Sequence, residues 1–258
     1  MPVNETTPAS ETEALPEQEG LPINELFYSL QGEGKLAGTP SIFVRMSGCN
    51  LRCWFCDSYH TSWEPTHAWM SIDEIVDEVG TYEQADHVVI TGGEPMIHDE
   101  LGALVERLSD EGYHVTVETN GTIYRDLPID LASISPKLAS STPTPDRDPK
   151  GDGEWEDRHE NRRIDMSALK RLVDDYDSQL KFVVTGEDDM PEINELVESL
   201  RAATTTAVHD SDILLMPEGM TSSQLSETRE STAALALKYG YQYTPRLHVN
   251  LWEDAAGR

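Results

Sequence analysis

The chain is 258 residues long and carries 48 acidic against 19 basic side chains, a formal net charge of −29. A surface of that sign repels nucleic-acid phosphates and anionic lipid, which argues against direct binding of either. Hydrophobic residues make up 38% of the chain, enough for one core, and no apolar run approaches the ~18 residues a membrane helix needs.

The acids are spread through tail, loops and helices rather than held in one block. That spread favours solvation in a cytoplasm of high salt over a single acidic partner-binding face. The N-terminus is acidic and lacks a basic, apolar leader, so a cytoplasmic location is expected. Residues 1–20 are polar and free of aromatics, the composition of a disordered tail, and the first Lys or Arg is Lys35. The remainder, 21–258, reads as one domain.

Order is expected to begin near "INELFYSLQGEG", where Ile23, Leu26 and Phe27 form the first apolar cluster and "FYSLQGEG" (27–34) reads as a polar loop. "SIFVRMSG" (41–48) predicts a buried strand ending at Gly48. "SIDEIVDEV" opens with Ser71 and Glu74 at capping-box spacing and predicts a helix. "HVVIT" (87–91) predicts a strand stopped by Gly92–Gly93, and the helix "DELGALVERLSDEG" follows. Further strands are expected at "HVTVE" (114–118), "LASIS" (131–135), "QLKFVVT", "DILLMP" and a last one at "RLHVNL". Helices are expected at "MSALKRLVDDY", "MPEINELVESLRAA" and "SSQLSETRESTAALALKYG". Residues 138–165, rich in Pro, Asp and Arg, read as an exposed loop insertion.

Alternation of short apolar strands with helices implies parallel pairing and right-handed crossovers. About six such units fit either a partial (β/α)6 barrel or a doubly wound sheet. Both put functional loops at the C-terminal ends of the strands. Those loops are 47–58, 91–96, 118–122, 135–138, 185–187 and 216–221.

The first of them holds every cysteine of the chain, Cys49, Cys53 and Cys56. Three thiols, odd in number and too close for a framework of bridges, indicate a metal site in a reducing compartment. Structural zinc is one reading, with His60 placed to complete a tetrahedron. The other is a [4Fe–4S] cluster on three thiolates, with one iron left open to a small molecule. "TGGEP" (91–95), "ETNG" (118–121) and "SPK" (135–137) each end a predicted strand. Taken singly they are an ordinary turn, an Asx turn and an exit turn.

In this order after a C-x3-C-x2-C loop with Phe55 before the last cysteine, these stretches resemble the radical S-adenosylmethionine (SAM) superfamily. The further presence of "FYSLQGEG" and "RLHVNLW" resembles the 7-carboxy-7-deazaguanine synthase family, over most of residues 22–252. The resemblance implies a TIM-like partial barrel working as a homodimer. It implies a reaction in which a SAM-derived radical takes hydrogen from 6-carboxy-5,6,7,8-tetrahydropterin, whose ring then contracts and loses ammonia. SAM would be regenerated, Mg²⁺ would assist, and flavodoxin or ferredoxin would donate the electron. A glycyl-radical activase and a non-enzymatic zinc module stay open beside it.

By the same resemblance Cys49, Cys53 and Cys56 would bind the cluster. Leu30, Gln31, Gly32, Thr91 and His248 would line the pterin. Arg45 would pair the substrate carboxylate, since an arginine in an apolar strand needs a partner; the plain alternative is an internal ion pair. Phe55, Asp57, Gly93, Glu118, Asn120, Ser135, Pro136 and Lys137 would face SAM. The late turn Met216, Pro217, Glu218 and Gly219 would join them, although the family often has Gln–Pro there. Ser58 stands where the family's Mg²⁺ ligand is usually Thr, and keeps the hydroxyl. His248 has the plain alternative of a hydrogen-bonded core histidine. "WEDAAGR" at the C-terminus matches no substrate contact, and no residue is assigned as catalytic acid or base.

Overall fold

Six short strands lie side by side in parallel, each next to its predecessor in the chain. They are β2 (Pro40–Met46), β4 (His87–Gly92), β5 (His114–Thr119), β6 (Leu131–Ile134), β7 (Ser178–Val184) and β8 (Ile213–Pro217) in the computed structural model, which describes residues 20–253, 255 and 257. The expected N-terminal tail lies outside the described residues, save Gly20. Sequential order excludes the doubly wound arrangement, whose strand order reverses at a switch point.

Three further strands extend the sheet. β1 (Leu21–Leu30) runs antiparallel to β2, and β3 (Ala68–Met70) antiparallel to β1. β9 (Gln242–Tyr243) adds to β8 at the other edge. The order β3-β1-β2-β4-β5-β6-β7-β8-β9 leaves β3 and β9 as edges, so the structure is a partial (β/α) barrel. "FYSL" is therefore strand, and only Gln31 onward is loop. Its alternation supports this: Glu25 and Phe27 share one face of β1 and pair in register with Arg45 and Phe43 of β2.

The helices are α1 (Tyr59–Ser62), α2 (Ile72–Val79), α3 (Leu101–Asp110), α4 (Glu156–Arg162), α5 (Met166–Asp175), α6 (Met190–Ala203), α7 (Ser222–Tyr239) and α8 (Leu247–Trp252). The expected box at α2 forms, with Glu74 N–H donating to Ser71 Oγ at 3.3 Å and Ser71 N–H to Glu74 at 2.8 Å. Their apolar stripes, such as Leu101, Leu104, Val105 and Leu108 of α3, pack on Val88, Ile90, Val115 and Val117 of the sheet. None of the described helices is long and apolar enough to cross a membrane.

Two further expectations are corrected. "RLHVNL" is helix α8, although Leu247, Val249 and Leu251 alternate like a strand. β9 already holds the edge it would have joined, and Leu247 N–H instead donates to Gly32 O at 2.9 Å, bringing α8 across the strand ends. The stretch 138–165 is more than an exposed loop: it carries α4, and Leu138, Ser141 and His159 are buried.

Candidate active site

Strand ends and loops enclose a chamber of about 410 Å³. Gly48, at φ +99°, turns the chain out of β2 into the cysteine loop. Next to it, Gly93 N–H donates to Met46 O at 3.1 Å and Glu94 N–H to Gly48 O at 2.9 Å. A Cβ on Gly93 would lie 2.1 Å from Gly48 O, so glycine is needed for this approach.

Cys49, Cys53 and Cys56 all reach the chamber and form no disulfide. Burial pushes the Cys49 thiol up to about 12, and raises Cys53 and Cys56 as well, the latter helped by the charge of Asp57. Two already have a hydrogen-bond donor: Leu51 N–H to Cys49 at 3.4 Å and Ser62 Oγ–H to Cys56 at 3.2 Å. Among the described residues no three His, Cys, Asp or Glu gather closely enough for one ion. Thiolates on one zinc would crowd together at ~2.3 Å from it, whereas thiolates on a cluster each hold a different iron and stand apart. Three free thiols lining one chamber, two of them with a sulfur-directed donor, fit a cluster.

Glu94 joins two of the predicted loops. It is fully buried, and its carboxylate accepts Met96 N–H at 3.0 Å, Thr119 Oγ–H at 2.8 Å and Asn120 N–H at 2.6 Å. "TGGEP" and "ETNG" thus hold one another. Asn120 also donates to Asn50 at 2.9 Å, tying both to the cysteine loop. Beyond it, Ser135 N–H donates to Thr119 O at 2.7 Å, and Lys137 Nζ to Ser135 Oγ at 2.7 Å.

Charged side chains line the rest of the chamber. Arg45 donates to Glu25 at 3.0 Å, opposite it on β1, and to Ser58 Oγ at 2.9 Å. Phe27 and Phe43 stack beside this pair with centroids 5.0 Å apart, and the Arg45 guanidinium lies 5.6 Å from the Phe27 centroid. Glu118 accepts from Thr91 at 2.7 Å and from Gln31 at 3.2 Å, so it stands with the expected pterin contacts. Lys181 lies 2.6 Å from Glu33 and 3.8 Å from Glu118. Arg246 lies 3.1 Å from Glu33, pairs with Asp57, and donates to Gly219 O at 2.6 Å. Burial alone would raise the Glu33 carboxyl, but Lys181, Arg246 and His248 hold it far below the usual carboxylate range. His248 Nε2 is 4.0 Å from Glu33, and burial lowers its pKa.

Every residue singled out from the sequence lines this chamber except Pro136 and Pro217. Pro217 is instead the last residue of β8, paired with Val184 of β7. Arg45 is found in the ion pair that was its plain alternative, yet still faces the chamber. Glu25, Glu33, Lys181 and Arg246 were not singled out. Lys181 stands in the apolar run "QLKFVVT", the same signal that marked Arg45.

Residues 43–140 match the family model described as the radical SAM superfamily. The chain is 66% identical over 255 residues to the 7-carboxy-7-deazaguanine synthase of Halobacterium salinarum, covering 99% of each chain. It is 39% identical over 246 residues to that of Rhodopirellula baltica, covering 95% of this chain and 91% of the relative. Its fold is similar to the crystal structure of QueE from Escherichia coli, with a TM-score of 0.59, 27% identity, and 88% of this chain and 94% of that one covered. Identity at this level and coverage leaves no support for the zinc module or the glycyl-radical activase: the chain belongs to the 7-carboxy-7-deazaguanine synthase family of the radical SAM superfamily.

Proposed function

We propose that the chamber converts 6-carboxy-5,6,7,8-tetrahydropterin to 7-carboxy-7-deazaguanine with loss of ammonia, in deazapurine biosynthesis for tRNA modification. The observation that carries this reading is the division of one enclosed space into a thiol wall and a charged wall. Cys49, Cys53 and Cys56 would hold a [4Fe–4S] cluster, which would supply an electron to bound SAM, and SAM would supply the hydrogen-abstracting group.

The chain's own residues bind and orient. Gly93, at its close approach to the cysteine strand, offers backbone to SAM, with Phe55, Asp57, Asn120, Ser135 and Lys137 around it. Met216, Glu218 and Gly219 close the far side of the same space. Gln31, Thr91 and Glu118, already bonded to one another, form a polar edge suited to a heterocycle that both donates and accepts. Leu30, Gly32 and His248 pack beside it.

Arg45 meets the substrate carboxylate, with Ser58 next to it. The Ser58 hydroxyl also donates to Asp57 at 3.2 Å, which sets a hard-oxygen pair where Mg²⁺ would share the carboxylate. Lys181 and Arg246 keep Glu33 ionised at the chamber wall. The resemblance supports a homodimer, and an electron donor such as flavodoxin or ferredoxin. The three free cysteines support a cytoplasmic location, and the net charge of −29 supports a high-salt one.

The test is anaerobic. Reconstituted protein should be brown with about four irons per chain. With SAM, a reductant and the carboxytetrahydropterin it should release 7-carboxy-7-deazaguanine. SAM cleavage without that product would overturn the substrate, and a colourless protein the cluster.

A further inference from the structure

The stretch 138–165 plays no part in the reading above, yet it grips the cysteine loop on both sides of Cys53. On one side, Arg52 N–H donates to His159 Nδ1 at 3.1 Å, and the Arg52 guanidinium stacks on Trp155 at 4.2 Å from the ring centre. On the other, Trp54 N–H donates to Ser141 O at 3.2 Å, and the Trp54 indole N–H to Ser140 O at 2.7 Å. Each neighbour of Cys53 is thus held by main chain and side chain at once. The Arg52 guanidinium also donates back to Cys49 O at 2.6 Å and Leu51 O at 2.8 Å, which extends the grip to the first cysteine. Cys53 O accepts the Trp63 indole N–H at 2.9 Å, just past α1.

The gripping groups are themselves fixed. A backbone N–H can only donate, so His159 Nδ1 carries no proton and the ring proton sits on Nε2. Nε2 lies 2.9 Å from Ser141 Oγ and donates to it, and the Ser141 hydroxyl donates onward to Leu138 O at 2.6 Å. Both side chains are fully buried, and this direction of donation satisfies every polar atom they carry. The two ends of the stretch are tied to α6 by one carboxylate: Glu192 accepts Ala139 N–H at 2.9 Å and the Arg163 guanidinium at 2.5 Å.

We propose that the stretch 138–165 is a preformed clamp, which sets Arg52 and Trp54, and so the Cys53 thiol between them, in the cluster-accepting position before any iron arrives. The chain from β2 to α1 is largely irregular, and a loop of that kind left free has to be ordered when its ligand binds, which weakens binding. His159, Ser141 and Trp54 are positioning residues and none is a ligand. The clamp moves no proton and breaks no bond. It deepens the proposed function and rests on its reading of the three cysteines as cluster ligands.

The test uses the full chain, first iron-free with its thiols reduced, then reconstituted anaerobically. Hydrogen exchange read by mass spectrometry follows the peptide 50–56 in the iron-free protein, where wild type should be protected. His159→Leu removes both ring nitrogens and should speed exchange there about tenfold, with α3 and β5 unchanged. The reconstituted variant should release iron to a chelator about tenfold faster than wild type. His159→Asn returns an acceptor to the place of Nδ1 and should bring both rates within about threefold of wild type.

Free exchange of the peptide 50–56 in iron-free wild type overturns the clamp, because the loop then orders only with its cluster. So does equal exchange in wild type and His159→Leu, or faster exchange without faster iron release. An Asn variant that behaves like Leu overturns it too, since the histidine then serves packing alone. If His159→Leu does not fold, Trp54→Phe, which removes the indole N–H to Ser140 O, replaces it in both measurements. Unchanged exchange in that variant, or its failure to fold, overturns the clamp again. A wild-type chain whose peptide 50–56 is protected but which takes up no iron–sulfur cluster would instead defeat the proposed function.

Discussion

Lys181 Nζ sits 2.6 Å from Glu33, and only 5% of the lysine side chain and 12% of the glutamate are exposed. An ammonium and a carboxylate both removed from water need each other, because a lone buried charge costs several kcal/mol. Lys181→Met should therefore destabilise the chain by about 3–5 kcal/mol at neutral pH. Urea denaturation measures it, and an unchanged midpoint would mean that Glu33 is sufficiently held by Arg246 at 3.1 Å.

The same pair sets a pH window. Glu33 is held below its ordinary value of 4.5, so its contribution is present above that pH and lost as pH falls through the lowered value. Burial would lower the Lys181 value, but Glu33 and Glu118 raise it above its ordinary 10.5. Its contribution is therefore present below that pH and lost as pH rises through the raised value. The stability gap between wild type and Glu33→Gln should stay level from about pH 5 to about pH 10 and shrink on the acid side. Denaturation midpoints across that range check it; a gap that shrinks near neutral pH would contradict the assignment.

Most of the scaffold was legible because the parallel strands are short β-branched runs broken by glycine and separated by amphipathic helices. "HVVIT" and "HVTVE" have no competing reading. The failure at "RLHVNL" is physical: three alternating apolar residues satisfy a strand and one turn of helix alike, and only the occupied edge at β9 decides. The thiol wall was legible because spacing alone brings Cys49, Cys53 and Cys56 together. The charged wall was not. Glu33, Lys181 and Arg246 are 148 and 65 residues apart in sequence, and their pairing exists only once β7 and α8 have come round to the first loop.

Arg45 offers a cleaner separation of roles. Arg45→Ala should weaken binding of the pterin carboxylate about 10- to 100-fold, the range for losing a charge-assisted hydrogen bond, and leave SAM binding unchanged. Glu25→Gln removes the negative charge that now competes for Arg45 at 3.0 Å, so it should not weaken the pterin. Calorimetric titration of both ligands distinguishes the two. Equal loss of pterin affinity in both variants would make the ion pair structural and the carboxylate site another residue.

Gly93 gives the sharpest steric prediction. Its added Cβ would meet Gly48 O at 2.1 Å and Cys49 Cβ at 2.9 Å, and neither is the far end of a flexible side chain. Relief requires the "TGGEP" turn and the cysteine loop to separate, which strains Gly93 N–H to Met46 O and Glu94 N–H to Gly48 O. Gly93→Ala should cost about 1–3 kcal/mol of stability, as overpacking against fixed backbone does, and lower iron uptake with it. Gly112→Ala is the control for backbone freedom: it too sits at a left-handed φ, +88°, but has nothing within 4 Å of the added methyl. That variant should lose some stability and none of the iron. Loss of iron in Gly112→Ala, or full iron in Gly93→Ala, would show that cluster assembly follows global stability rather than the contact between these two loops.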